Sequence, residues 1–184
     1  MQMRARVAIS GTAIAAAVVA CGDCGGGATP ASPSVATTTL VTLQGGPSHP
    51  LLRDSRRFTP DQTTFWAGVD CYENHIEIRL GVFPNQWTID LGAPRGQRLT
   101  AGTYANAAHY PSNLFGDSPG IHVGGEGRGC DDVGSFTITD ARFLPSGAIE
   151  RFRGSFEQHC ERFADPLRGE IELVRPPGEQ VSCP

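Results

Sequence analysis

The chain has 184 residues, of which 39% are hydrophobic and 18% charged, a length suited to one domain plus processing segments and able to bury a modest core. Its formal net charge is -4, and all 15 basic residues are arginine, with no lysine. A mildly acidic chain lacks the basic footprint that a phosphate backbone demands, which excludes nucleic acid as a partner.

Arg4 and Arg6 give the N-terminus a positive start, and residues 7–20 (VAISGTAIAAAVVA) follow as an apolar run of small and branched side chains. The run is shorter than the roughly 20 residues that span a bilayer and has the shape of a signal-peptide core. An ordinary signal peptide would be cut near Ala20. Val18-Val19-Ala20-Cys21 also resembles the lipobox of bacterial lipoproteins. That resemblance implies a lipid-modified Cys21, a lipid bilayer as partner and a site on a membrane surface outside the cytoplasm. Gly22, not Asp, follows the cysteine, and by the same resemblance this implies the bacterial outer membrane or another extracytoplasmic membrane surface. Removal of residues 1–20 takes Arg4 and Arg6 with it, so the mature chain is more acidic by two charges.

Residues 21–60 read as the lipidated cysteine and a flexible tether rich in Gly, Pro, Ser and Thr. Within it, residues 37–43 (TTTLVTL) have enough β propensity for an edge strand, and Arg53, Arg56 and Arg57 form a small basic cluster read as a solvated lead-in. The folded domain is expected over 61–184. In residues 63–71 (TTFWAGVDC), Phe65, Ala67, Val69 and Cys71 share one face, while Trp66 and Asp70 lie on the other. Residues 75–82 (HIEIRLGV) place Ile76, Ile78, Leu80 and Val82 inward, with Glu77 and Arg79 toward water. Residues 83–86 (FPNQ) supply a turn to a third alternating run at 87–91. Weaker strands are expected at 102–109 and 121–123, separated by a loop at 110–119. The clearest alternation is the last: 134–140, a break at Pro145-Ser146-Gly147, then 149–160 and 169–174. The expectation is an all-β, antiparallel sandwich or small barrel of seven or eight strands.

A turn centred near Pro145–Ser146 makes facing residues sum to about 290, so Phe136 meets Gly154, Ile138 meets Phe152, and Cys130 comes opposite Cys160. A Cys130–Cys160 disulfide is therefore expected, stronger than the rival metal reading from His159, Cys160, Asp131 and Asp132. Cys183, one residue from the C-terminus, is the suggested partner of Cys71, which leaves Cys24 over.

Gly134 and Phe136, then Phe156, Glu157, His159 and Cys160, then Leu167, Gly169 and Ile171 resemble a module of secreted and lipoprotein sequences from bacteria. Its marks are a Gly-x-Phe strand, a Phe-Glu-x-His-Cys element and a Leu-x-Gly-x-Ile strand. The resemblance covers about residues 102–174 and implies fold and cysteine pairing, with no activity attached. Arg162-Phe163-Ala164-Asp165 stand where that pattern has a Gly-rich turn.

No catalytic signature accompanies the fold. None of Ser112, Ser118, Ser135 and Ser155 lies in a G-x-S-x-G elbow, there is no H-E-x-x-H, and Gly124–Gly129 precede a strand where a nucleotide fingerprint would open a helix. Glu157 and His159 read as an outward charged face, and Asp131-Asp132 beside Glu126 lack the spacing of a calcium cage. No cofactor is expected. Trp66, His109, Tyr110 and Phe115, with Asn113, offer an aromatic platform of the kind that holds a carbohydrate or peptide; the alternative is that Trp66 packs beneath the tether. The functional expectation is a membrane-anchored binding or structural module, with a carbohydrate or an envelope protein as partner; a hydrolase of unrecognised type is the alternative.

Overall fold

Where apolar residues alternate, strands form. The computed structural model describes residues 38–111, 116–130, 132–160 and 163–178, all within the unit that spans Val35–Pro184. In chain order the strands are β1 (Leu40–Gln44), β2 (Ser55–Phe58), β3 (Phe65–Val69), β4 (His75–Leu80), β5 (Trp87–Gly92), β6 (Gly102–His109), β7 (Gly120–Gly125), β8 (Asp132–Phe143), β9 (Ile149–Cys160) and β10 (Leu167–Val174). They form one sheet in the order β2-β1-β10-β9-β8-β6-β7-β5-β4-β3. All pairings are antiparallel except β6 with β7, where Ala108 faces Gly120 and His109 faces Ile121 in parallel. The two ends of the order, β2 and β3, are consecutive in the chain, and the sheet curls into a nearly closed barrel-like form.

The all-β expectation holds, and the strand number is ten, not seven or eight. The two extra strands are β1 and β2, both inside the stretch read as tether. β1 is not an edge: it lies between β2 and β10, with Val41 and Leu43 fully buried. β2 escapes a periodicity reading because an arginine takes the inward place. Arg56 faces buried Leu43 across the β1–β2 pair, and its guanidinium lies 5.5 Å from the centre of the Trp87 ring and pairs with Glu126. The aliphatic stem covers apolar surface while the charge finds a carboxylate. The folded domain therefore begins before residue 40, and residues 1–37, with Cys21 and Cys24, lie outside the described residues.

The core gathers inward-facing residues from both halves of the sheet, among them Ile76, Ile78, Leu80, Trp87, Ile89, Phe136, Ile138, Phe152, Ile171 and Leu173. Each large side chain so buried contributes about 1.5–3 kcal/mol. Val82, expected inward, is 63% exposed beside Phe83 at 83%, because β4 ends at Leu80 and Gly81, with φ of 83°, turns the chain. The outer edge of β3 does not stay bare. The Ala67 N–H donates to the carbonyl of Pro177 at 2.8 Å, so the segment after β10 runs along β3. Gly178 permits this approach, since a Cβ there would stand 1.7 Å from the Ala67 carbonyl oxygen.

The β8–β9 hairpin departs from its expected register by two residues. Phe136 faces Phe156 and Ile138 faces Gly154, a sum of 292 where 290 was expected. The turn is centred on Ser146, closed by the Leu144 N–H to the Ala148 carbonyl at 2.8 Å, and two bulges interrupt the ladder. A shift of two preserves parity, so the same side chains face inward. Cys130 consequently meets Cys160 on a diagonal: the facing residue is Asp132, yet the disulfide forms with a Cα–Cα distance of 5.4 Å.

Candidate functional site

Strands β3, β4, β5 and β7 present one outward face. Their register aligns Gly68, Glu77, Asp90 and His122 in a row, and Trp66, Arg79, Thr88 and Gly124 in the next. Asp90 is only 8% exposed, and a carboxylate so withdrawn from water needs a donor. His75 supplies it: its Nε2 lies 2.9 Å from Asp90 Oδ1. An ionised carboxylate only accepts, so Nε2 carries the proton. The loop before β4 holds His75 in place, because the backbone N–H groups of Asn74 and His75 both donate to Asp70 Oδ1, at 2.8 and 3.3 Å.

Tyr110 stacks on the His75 ring at 4.2 Å with planes 5° apart. It arrives from the end of β6, where its N–H donates to the Ile121 carbonyl at 3.0 Å. In the row of His75, Gly92 and Gly120 face each other. Burial, and then the negative charge of Asp90, Asp70 and Glu77, pushes the Tyr110 hydroxyl up to about 12, so it remains a hydrogen-bond donor at all ordinary pH values. His109 meets His122 edge to face at 5.1 Å. Trp66 is half-buried, with the Arg79 guanidinium 5.0 Å from its ring centre, and Arg79 in turn donates to Glu77 at 2.9 Å.

Of the residues the sequence singled out, His109 and Tyr110 belong to this cluster and Trp66 lies on the same face, four residues of strand away from the row of His75. Phe115 and Asn113 lie outside the described residues. Sequence reading gave His75, Asp90 and His122 no place in a site. The available signal was outward parity: His75, Glu77 and Asp90 occupy the polar positions of alternating strands, which a periodicity argument assigns to solvent.

A second polar surface lies on β1, β8, β9 and β10. A trough of about 460 Å³ is lined by hydroxyls and charges, among them Thr42, Ser135, Thr137, Ser155, Glu157, Arg168 and Glu170. Glu157 and His159 do face outward while Phe156 and Cys160 are buried. Hydrogen bonds from His159 and then Arg168, both at 2.8 Å, hold the Glu157 carboxyl below its usual range. Ser135 and Ser155 belong to this trough, not to the cluster around His75. Glu126 is taken up by Arg56 and Arg128. Cys71 is a half-buried free thiol, and Cys183, its suggested partner, lies outside the described residues. Among the described residues no group of three or more His, Cys, Asp or Glu side chains is arranged to hold a metal ion.

Comparison with protein-family models, with curated proteins and with solved structures finds no match for this chain. The reading of the site rests on its own geometry.

Proposed function

We propose that the chain is an extracytoplasmic binding module, tethered to the bacterial outer membrane through a lipid on Cys21, that holds a carbohydrate-like ligand on the outward face of β3, β4, β5 and β7. One observation carries the ligand surface: Tyr110, His75 and Asp90, from three separate segments, converge into a stacked and hydrogen-bonded group on a rigid sheet. Sugars offer apolar ring faces and many hydroxyls. Aromatic surface from Tyr110 and Trp66 suits the first, and the carboxylates of Glu77 and Asp90, the imidazoles and the protonated Tyr110 hydroxyl suit the second. The membrane half of the reading is supported by the charged start, the apolar run and the cysteine at its end.

The tests are separate. Mass analysis of membrane-extracted protein is expected to find acyl groups on an N-terminal Cys21, and Cys21→Ser is expected to release the protein from membranes; a mature chain starting beyond Cys21 overturns the anchor. For the ligand, the full chain in detergent is screened on a glycan array. Tyr110→Ala and Asp90→Asn are each expected to weaken the selected glycan by about tenfold or more, the scale of one lost buried polar or stacking contact. An array without binding, or binding indifferent to both substitutions, overturns the ligand assignment. A ligand released in cleaved form would turn the reading to the hydrolase.

A further inference from the structure

The disulfide does not lie in apolar surroundings. Two side chains with no exposed surface, His49 and Gln158, each bring a nitrogen to one of its sulfurs. Gln158 Nε2 donates to the Val123 carbonyl at 3.1 Å and lies 3.4 Å from Cys130 Sγ. His49 Nε2 lies 3.5 Å from Cys160 Sγ. The tautomer of His49 follows from its other nitrogen. Nδ1 accepts the backbone N–H groups of Leu51 and Leu52, at 3.3 and 3.4 Å, so the proton of the neutral ring is on Nε2 and points at sulfur.

A disulfide sulfur accepts hydrogen bonds weakly, whereas a thiolate is a charged acceptor. Donors fixed on both sulfurs therefore favour the reduced state over the oxidised one, and make each sulfur a better leaving group. A bond that served only to cross-link would gain nothing from them. The two sulfurs also differ in access: Cys160 is 2% exposed and Cys130 is half-buried.

We infer that Cys130–Cys160 is a reversible thiol–disulfide exchange site, reduced by a dithiol, in which Cys130 is the sulfur attacked and Cys160 the sulfur that leaves. The incoming thiolate bonds to Cys130 Sγ, the S–S bond breaks, and its electron pair departs on Cys160 Sγ. His49 Nε2–H bonds to that thiolate as the charge develops. The second thiol of the reductant then attacks its partner sulfur in the mixed disulfide, and Cys130 leaves as a thiolate beside Gln158. The reductant ends as a disulfide, the protein has gained two electrons, and the two protons lost by the dithiol are matched by the two thiols formed.

The test uses the full chain and His49→Asn. The asparagine amide oxygen takes the place of Nδ1 and can still accept from Leu51 and Leu52, while the donor on Cys160 is lost. Both proteins are equilibrated in glutathione buffers, trapped by alkylation, and the peptides carrying Cys130 and Cys160 are quantified by mass. H49N is expected to shift the equilibrium toward the disulfide by about tenfold or more and to slow reduction by dithiothreitol by a similar factor. The melting temperature of the oxidised protein should stay within a few degrees. Equal equilibria and rates for the wild type and H49N overturn the proposal. If oxidised H49N melts far below the wild type, Gln158→Met, which removes the donor on Cys130, replaces it under the same criterion.

Discussion

Tyr110 is the residue whose surroundings make the sharpest statement. Its hydroxyl is raised to about 12 by burial and by Asp90, Asp70 and Glu77, against about 10 in an unfolded chain. The folded-state value is the higher one, so the associated stability is fully present below pH 10 and is lost as pH rises through 10 toward 12. That difference is worth about 2.7 kcal/mol at most, and the partial exposure of the ring makes the figure smaller. Of the three tyrosines, one is expected to ionise near pH 12 in an ultraviolet titration of the folded protein, and Tyr110→Phe should remove that late step. A titration without a step near pH 12 would contradict the packing described around His75. Tyr110 and His109 could be picked out from the sequence because aromatics in a long loop are conspicuous. His75 and Asp90 could not. An outward histidine and an outward aspartate look like any solvent face until strand register places them 2.9 Å apart.

At the scale of strands, closure of the sheet depends on how its two edges are treated. β2 is short and carries arginines, and its inward Arg56 is held over Trp87. β3 is covered by the segment after β10 through the Ala67 N–H. Covering an edge removes a row of groups that would otherwise pair with another chain. Gly178→Ala is expected to push that segment away, because the added Cβ would collide with the Ala67 carbonyl. The expected result is faster hydrogen exchange at the Ala67 amide, with exchange at Ile78 in β4 unchanged. Loss of protection at both residues alike would show a global effect in place of an opened edge. The central strands were legible because β4, β8, β9 and β10 alternate cleanly, and parity alone carried the Cys130–Cys160 pairing through a two-residue error in register. β2 was not legible: a strand of four residues with one apolar side chain has no period to read.

For the whole molecule, the question is where the domain starts, since a Gly- and Pro-rich lead-in looks like tether whether or not it is folded. Val41, Leu43, Leu51 and Leu52 belong to the core. β1 supplies the partner of β10 along five facing pairs, and Arg128 ties the β1–β2 connection to the β7–β8 turn through the carbonyls of Pro50 and Leu51, at 2.7 and 3.1 Å. His49, on the same connection, faces the disulfide. Four buried aliphatic side chains at about 1.5–3 kcal/mol each come to roughly 6–12 kcal/mol, comparable with the 5–15 kcal/mol by which a domain is stable at all. A chain starting at residue 61 is therefore expected to lose its cooperative melting transition and its dispersed amide spectrum, with β10 left as a bare hydrophobic edge prone to aggregate. A chain starting at residue 35 should keep both. Cooperative melting of the shorter chain would mean that β1 and β2 are accessories to the sheet and not part of what holds it closed.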